Sequence, residues 1–185
     1  METIPIKNMV CARCILVVQQ IVQELNLSGV YVELGSISIE NDLDTKTKYK
    51  FKQRLEAVGF EILTKAEDQV IEQVKNALIE AVEDRTQLHD MTLQGIISER
   101  ILKNYHQISR LFSSTEGKTI ERYFIELKIE KAKELIKYEH LSVSEIAYDL
   151  GYSSPQHLAR QFKQVTGITT SEFKKNGVRS KLDTL

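Results

Sequence analysis

The sequence predicts an α+β chain, a β-α-β-β-α-β N-terminal part followed by an all-helical C-terminal part. Three observations carry this. Over the first 64 residues, two-residue and helical apolar periods alternate. After Met91 every stretch is helical in pattern, broken at short intervals by Gly117, Gly151 and Gly167. Charge divides along the same line. The 185 residues carry a net charge of −1. Residues 1–65 hold 8 basic and 8 acidic side chains, residues 66–90 hold 2 and 7, and residues 91–185 hold 15 and 11. A basic C-terminal half behind an acidic segment suits a polyanionic partner.

The elements follow in order. Residues 3–9 are short and strand-like. Residues 14–25 (CILVVQQIVQEL) place apolar side chains at helical spacing, with Gly29 as the stop signal. Residues 30–41 alternate apolar and polar on both sides of Gly35, a hairpin with Val30, Val32, Leu34, Ile37 and Ile39 on its buried face. Residues 44–58 form a second helix that Asp44 caps and Gly59 closes. Residues 60–63 (FEIL) are the last strand. This is the split βαβ order of ferredoxin-like domains. The next segment carries Val70, Ile71, Val74, Leu78 and Val82 on one helical face, as a connector, a dimer seam or a cover for the following domain. The expected domains are therefore residues 1–65, a connecting helix over 66–90, and residues 91–178.

Composition excludes several classes. No apolar run of about 18 residues exists, so no span of a bilayer is expected. The start, METIPIKNMV, lacks the basic head and long apolar stretch of a signal peptide, so a cytoplasmic protein is expected. No phosphate loop, HExxH or GxSxG motif occurs, and the four histidines do not cluster in sequence, so no enzyme is expected.

In the C-terminal part, Ser142 and Glu145 form a capping box, with Ile146, Ala147 and Leu150 as the buried stripe of a short helix. Gly151 allows a tight turn. Ser153 or Ser154 then caps a second helix, Pro155 occupies its first turn, and Gly167 stops it. Short helix, glycine turn and second helix make a helix-turn-helix, whose second helix enters the DNA major groove. With Leu158 and Phe162 inward, Gln156, His157, Arg160, Lys163 and Gln164 face outward. Arginine pairs with guanine and glutamine with adenine through two hydrogen bonds each. Lys163, nearer the helix end, suits phosphate. A similar unit lies upstream. Leu93, Ile96 and Ile97 form its first stripe, Asn104 caps its second helix, and Ile108, Leu111 and Phe112 face inward. Tyr105, His106, Ser109 and Arg110 face outward there. Residues 119–138 join the units as one helix roughly 30 Å long. Such a helix can hold two reading helices about one DNA turn apart.

These residues resemble the AraC/XylS transcription regulators over about residues 92–176. The resemblance is carried by ISRLF at 108–112, Gly117, ERYF at 121–124, KIEKAKELI at 128–136, LSVSEIAYDLGYSSPQHLARQFKQVTG at 141–167, and SEFKK at 171–175. In the first unit SSTEG at 113–117 stands where the family carries a Lys-rich run. The resemblance implies an all-α double helix-turn-helix domain reading two successive major grooves of double-stranded DNA. It implies His106, Ser109 and Arg110 as base readers in the first unit. In the second it implies Gln156 and Arg160, with Pro155 at a contact position. It also implies that the N-terminal part supplies effector binding or dimerisation, so a homodimer through that part or the connecting helix is expected.

The N-terminal part carries Cys11 and Cys14 between the first strand and the first helix. Two thiolates one turn apart converge on a soft cation, Cu(I) or Zn(II). The helix N-terminus and Arg13 favour thiolate, so at least one depressed thiol pKa is expected. Two other readings stand beside this one: a thioredoxin-like redox pair, and a pair of small packing residues. The redox fold needs a cis-proline against its motif, and neither Pro5 nor Pro155 is placed for it. Residues 3–64 resemble the heavy-metal-associated domains, which carry Gly-Met-Thr-Cys-x-x-Cys in a β-α-β-β-α-β fold. LEAVGFEI at 55–62 resembles that family's closing helix and strand, while Asn8 replaces its glycine and Val10 its threonine. The whole reads as a DNA-binding transcription regulator responsive to a soft metal ion. The competing reading is a metal-carrying chaperone whose helical half docks on a protein partner.

Overall fold

Strands β1 (Glu2–Lys7), β2 (Val30–Glu33), β3 (Ser36–Ile39) and β4 (Glu61–Ile62) form one sheet in the order β2-β3-β1-β4, with every neighbouring pair antiparallel. The computed structural model describes residues 2–40, 43–84, 88, 91–138 and 141–176. Asn41 at the end of the expected hairpin, residues 85–87, 89 and 90 of the connecting segment, His140, and residues 177 and 178 lie outside the described residues.

Helices α1 (Ala12–Glu24) and α2 (Thr45–Ala57) connect the strands. Asp44 caps α2 by accepting from the Lys46 and Thr47 backbone N–H groups. The stop of α1 differs from expectation. The helix ends at Glu24 with Leu25 as its cap, and Asn26 takes the left-handed conformation that lets the Asn26 and Leu27 N–H groups bond back to Gln23 and Val22. Asparagine tolerates that conformation because its short polar side chain bonds locally, so Gly29 is not needed as the stop. The hairpin also differs in part. Ile37 and Ile39 are buried, but Val30, Val32 and Leu34 are only half-buried. β2 is an edge strand, and its apolar side chains pack against the core from the rim of the sheet, where coverage is partial. Ile6, Met9, Val18, Ile21, Phe51 and Leu55 complete this core.

The chain divides into two compact units, Met1–Asn76 and Ala77–Leu185, so the division falls inside α3 (Ala66–Asp84). The second unit contains α4 (Leu93–Arg100), α5 (Tyr105–Glu116), α6 (Ile120–Tyr138), α7 (Val143–Asp149), α8 (Pro155–Thr166) and α9 (Thr170–Asn176). Its design repeats fifty residues on. Thr92 and Ser142 cap the first helix of each pair, and Asn104 and Ser154 cap the second. Ile96 and Ile146, Ile108 and Leu158, and Phe112 and Phe162 are the matching buried side chains. Each phenylalanine meets an aromatic ring of the following helix, Phe112 with Tyr123 at 5.6 Å and Phe162 with Phe173 at 5.5 Å between centroids. These are ring separations at which aromatic pairs attract beyond simple burial.

Gly151 closes α7 with φ +64, and the Tyr152 N–H bonds to the Ala147 carbonyl at 2.8 Å. A Cβ at Gly151 would lie 2.5 Å from the Leu88 carbonyl oxygen, whereas one at Gly167 (φ +80) meets nothing within 4 Å. Gly167→Ala should therefore cost only the left-handed backbone term, about 1–2 kcal/mol. Gly151→Ala adds a backbone collision and should cost roughly 2–4 kcal/mol. Chemical denaturation of the two variants checks this, and equal losses would show that the Leu88 segment gives way freely.

Burial also sets a pH dependence. Desolvation pulls Lys128 on α6 down to about 8, against roughly 10.4 in an unfolded chain. Between those values the unfolded state binds more protons, so stability rises with pH. Wild type should gain stability relative to Lys128→Met from about pH 8 to about pH 10. Parallel pH–stability curves would contradict the burial of this ammonium.

Candidate nucleic-acid interface

The roll of α5 and of α8 follows from the buried pair of each. In α8, Leu158 and Phe162 are fully buried, and Gln156, Arg160, Lys163 and Gln164 are exposed on the other side. The Ser154 hydroxyl accepts from the His157 N–H, so Ser154 rather than Ser153 is the cap. His157 departs from its expected outward position. It is half-buried, its ring set edge-on against Tyr152 at 5.3 Å, with Nδ1 3.2 Å from Ser153 Oγ. Pro155 is half-buried at the first helical position.

In α5, Ile108 and Phe112 are buried and His106 and Arg110 are exposed. Leu111 is half-buried, not fully inward, and Ser109 is half-buried on the flank of the exposed face. Tyr105 does not face outward freely. Its hydroxyl donates to Glu121 at 3.0 Å, and burial together with that carboxylate pushes it up to about 12. The fifty-residue repeat pairs Arg110 with Arg160 and His106 with Gln156 on equivalent exposed positions. Gln107 is also exposed, at a position that no motif in the sequence marks. Helical spacing sets it 100° from His106, at the rim of the same face.

Cation placement differs between the two helices. Lys163 is exposed near the end of α8, and its counterpart in α5 is Ser113. Lys118 just before α6 and Arg122 in its first turn instead both converge on Glu126, at 2.9 and 2.8 Å. These two cations hold the Glu126 carboxyl below its usual range against the opposing effect of its burial. Lys103, in the turn before α5, and Lys174 and Lys175 on α9 are exposed.

In the first unit, Cys11 is the N-cap position of α1 and Cys14 lies in its first turn. Their sulfurs are 3.5 Å apart and both thiols are free. The Cys14 thiol donates to the Asn8 carbonyl at 3.8 Å. Burial raises its pKa, outweighing the lowering by the Val10 backbone, so the expected depression is not found there. Cys14 packs against the N-terminal core, and desolvation disfavours its thiolate. Asn8 adopts φ +70 and its amide donates to the Gly59 carbonyl at 2.9 Å. Among the described residues, no group of three or more His, Cys, Asp or Glu side chains is placed to hold a metal ion. Among them, too, no helix is long and apolar enough to cross a membrane.

Comparison with known proteins agrees with the geometry of the second unit. A family model described as a helix-turn-helix domain matches residues 97–176. The transcriptional regulatory protein YesN of Bacillus subtilis is 27% identical over 104 residues, covering 55% of this chain and 28% of its own length. The HTH-type transcriptional regulator YisR of the same organism is 26% identical over 151 residues, covering 78% of this chain and 50% of its own length. The chain thus spans half or less of the length of these curated relatives. The solved C-terminal domain of AraT, a response regulator from Geobacillus stearothermophilus, aligns with a TM-score of 0.49 and 23% identity over 59% of this chain and 88% of that one. Both Bacillus subtilis relatives are described as transcriptional regulators. Over residues 97–176 the chain carries a helix-turn-helix domain.

Proposed function

We propose that this chain is a sequence-specific DNA-binding transcription regulator of AraC type, with α5 and α8 as its reading helices. The observation that carries the reading is the repeat itself. Two capped helix-turn-helix units each present an arginine at the same exposed position, Arg110 and Arg160. His106, Ser109 and Arg110 then read bases from α5. Gln156 and Arg160 read bases from α8, and Pro155 offers an apolar contact of the kind that suits a thymine methyl. Lys163 meets phosphate.

Selection of preferred duplexes from a random pool, followed by titration of variants, tests this. Arg160→Ala should cost about 1–3 kcal/mol on the preferred duplex and relax preference at one position. Lys163→Ala should weaken all sequences alike and reduce the salt slope by about 1. An unchanged site preference in Arg160→Ala would overturn this assignment of α8.

For the first unit, the strand order β2-β3-β1-β4 and its antiparallel pairing support a ferredoxin-like arrangement of the heavy-metal-associated kind. Asn8 stands where that family has glycine, and its left-handed backbone supports the correspondence. The same reading gives Cys11 and Cys14 a soft metal ion. Two thiolates suit Cu(I) better than Zn(II), which takes four ligands in structural sites. With metal–sulfur bonds of about 2.3 Å, sulfurs 3.5 Å apart subtend roughly 100° at the ion. They fit a bent pair completed by an external donor. When bound, the ion supplies charge and a fixed bridge between the loop and α1. It acts as a regulator only if metal affinity differs between the DNA-bound and free protein.

Titration of Cu(I) under reducing conditions against a competing chelator measures this. A Cys11→Ser/Cys14→Ser variant should keep its fold and lose the binding. Wild-type binding no tighter than that of the double variant would eliminate the site. Tight binding with unchanged DNA affinity would keep the site and remove the regulation.

A further inference from the structure

Lys128 lies midway along α6, and among the described residues it has no carboxylate partner. Two other lysines of the same helix do, Lys131 with Glu83 and Lys133 with Glu130. The Lys128 ammonium instead sits over two aromatic faces, 4.3 Å from the Tyr152 ring centroid and 5.3 Å from that of Phe124. Both distances fall inside the roughly 6 Å reach of a cation–π attraction.

Tyr152 passes this constraint on. Its backbone is pinned by the bond from its N–H to the Ala147 carbonyl. Its ring meets the edge of the His157 ring at 5.3 Å and 87°. His157 is the third residue of α8, held by Ser153 at its ring nitrogen and by Ser154 at its backbone N–H. A continuous stack therefore runs from α6 through the turn into the first turn of α8, between Gln156 and Arg160. The first helix-turn-helix pair has nothing equivalent in that turn among the described residues. Fifty residues upstream of Tyr152, Leu102 is 99% exposed, and α5 is tied to α6 through the Tyr105–Glu121 hydrogen bond.

The stack carries two costs to stability on one ring. Among the described residues, a largely desolvated ammonium lacks a carboxylate partner and the buried Tyr152 hydroxyl lacks a hydrogen-bond partner. An apolar residue at position 128 would avoid the first cost, and phenylalanine at 152 the second. We propose that Lys128 is a positioning residue for the second reading helix: its ammonium holds the face of Tyr152, which fixes the angle at which α8 leaves the turn and hence the aim of Gln156 and Arg160. This rests on the DNA-reading role proposed above.

The test uses the full chain and the duplex that the wild type selects. Lys128→Met should lose roughly three- to tenfold in affinity. Preference should relax at positions assigned to Gln156 and Arg160 and stay intact at those assigned to Arg110. Thermal stability should be equal or higher, because the uncompensated cation is gone. Lys128→Arg should restore binding. Tyr152→Leu should reproduce the loss with no further effect in the double variant, while Tyr152→Phe should bind like wild type. In the free protein, hydrogen exchange at the His157 amide should quicken in Lys128→Met. A wild type that selects no duplex would remove the DNA-reading role, and the proposal with it. Selection by the wild type, with unchanged exchange and unchanged discrimination in Lys128→Met, would overturn the positioning role alone. So would a loss spread equally over both half-sites.

Discussion

Burial of Phe162 sets the roll of α8 about its own axis, and the outward side chains of that helix depend on this roll. Phe162 is fully buried against Phe173 with Leu158 one turn before it. Truncating so large a core side chain typically costs 3–5 kcal/mol. A rotation that exposed it would have to repay that amount. The same constraint acts through Phe112 and Tyr123 in α5. Arg110 and Arg160 are therefore exposed for a reason that lies on the opposite face of their helices.

The caps set where each helix begins, and the turn sets where it points. Asn104 and Ser154 satisfy the first free N–H groups of α5 and α8. Gly151 bends the chain in a conformation with no room for a side chain beside the Leu88 carbonyl. Within this frame the apolar requirements are met almost everywhere. Among the described residues the buried polar atoms without a hydrogen-bond partner are Glu130 Oε2 and the Tyr152 hydroxyl, the latter under Lys128 and beside the first turn of α8. Polar groups that lower stability persist where the geometry they impose is used.

In the first unit the cysteine pair lies where a strand gives way to a helix. Asn8 turns the chain in a left-handed conformation, and Met9 anchors the loop in the core. Cys11 and Cys14 are left half-buried at the surface above it. Partial burial explains why Cys14 favours its thiol although it lies in the first turn of a helix. Desolvation outweighs the local hydrogen bonding that favours the charged form.

The element order, the caps at Asp44, Asn104 and Ser142, the turn at Gly151 and the buried Leu158 and Phe162 were legible in the sequence. Each rests on local chemistry or on a short apolar period. The exposed Arg110, Gln156, Arg160 and Lys163 follow from the same period. Only tertiary structure decided the rest. It left β2 half-buried at the sheet edge, because coverage depends on neighbours distant in sequence. It turned His157 inward against Tyr152, because an outward-facing histidine is drawn back when an aromatic ring stands beside it. It raised the Cys14 thiol, because desolvation depends on packing that no motif records. It set Lys128 over Tyr152, 24 positions along the chain, because a pairing across a turn is invisible to any period within a single helix.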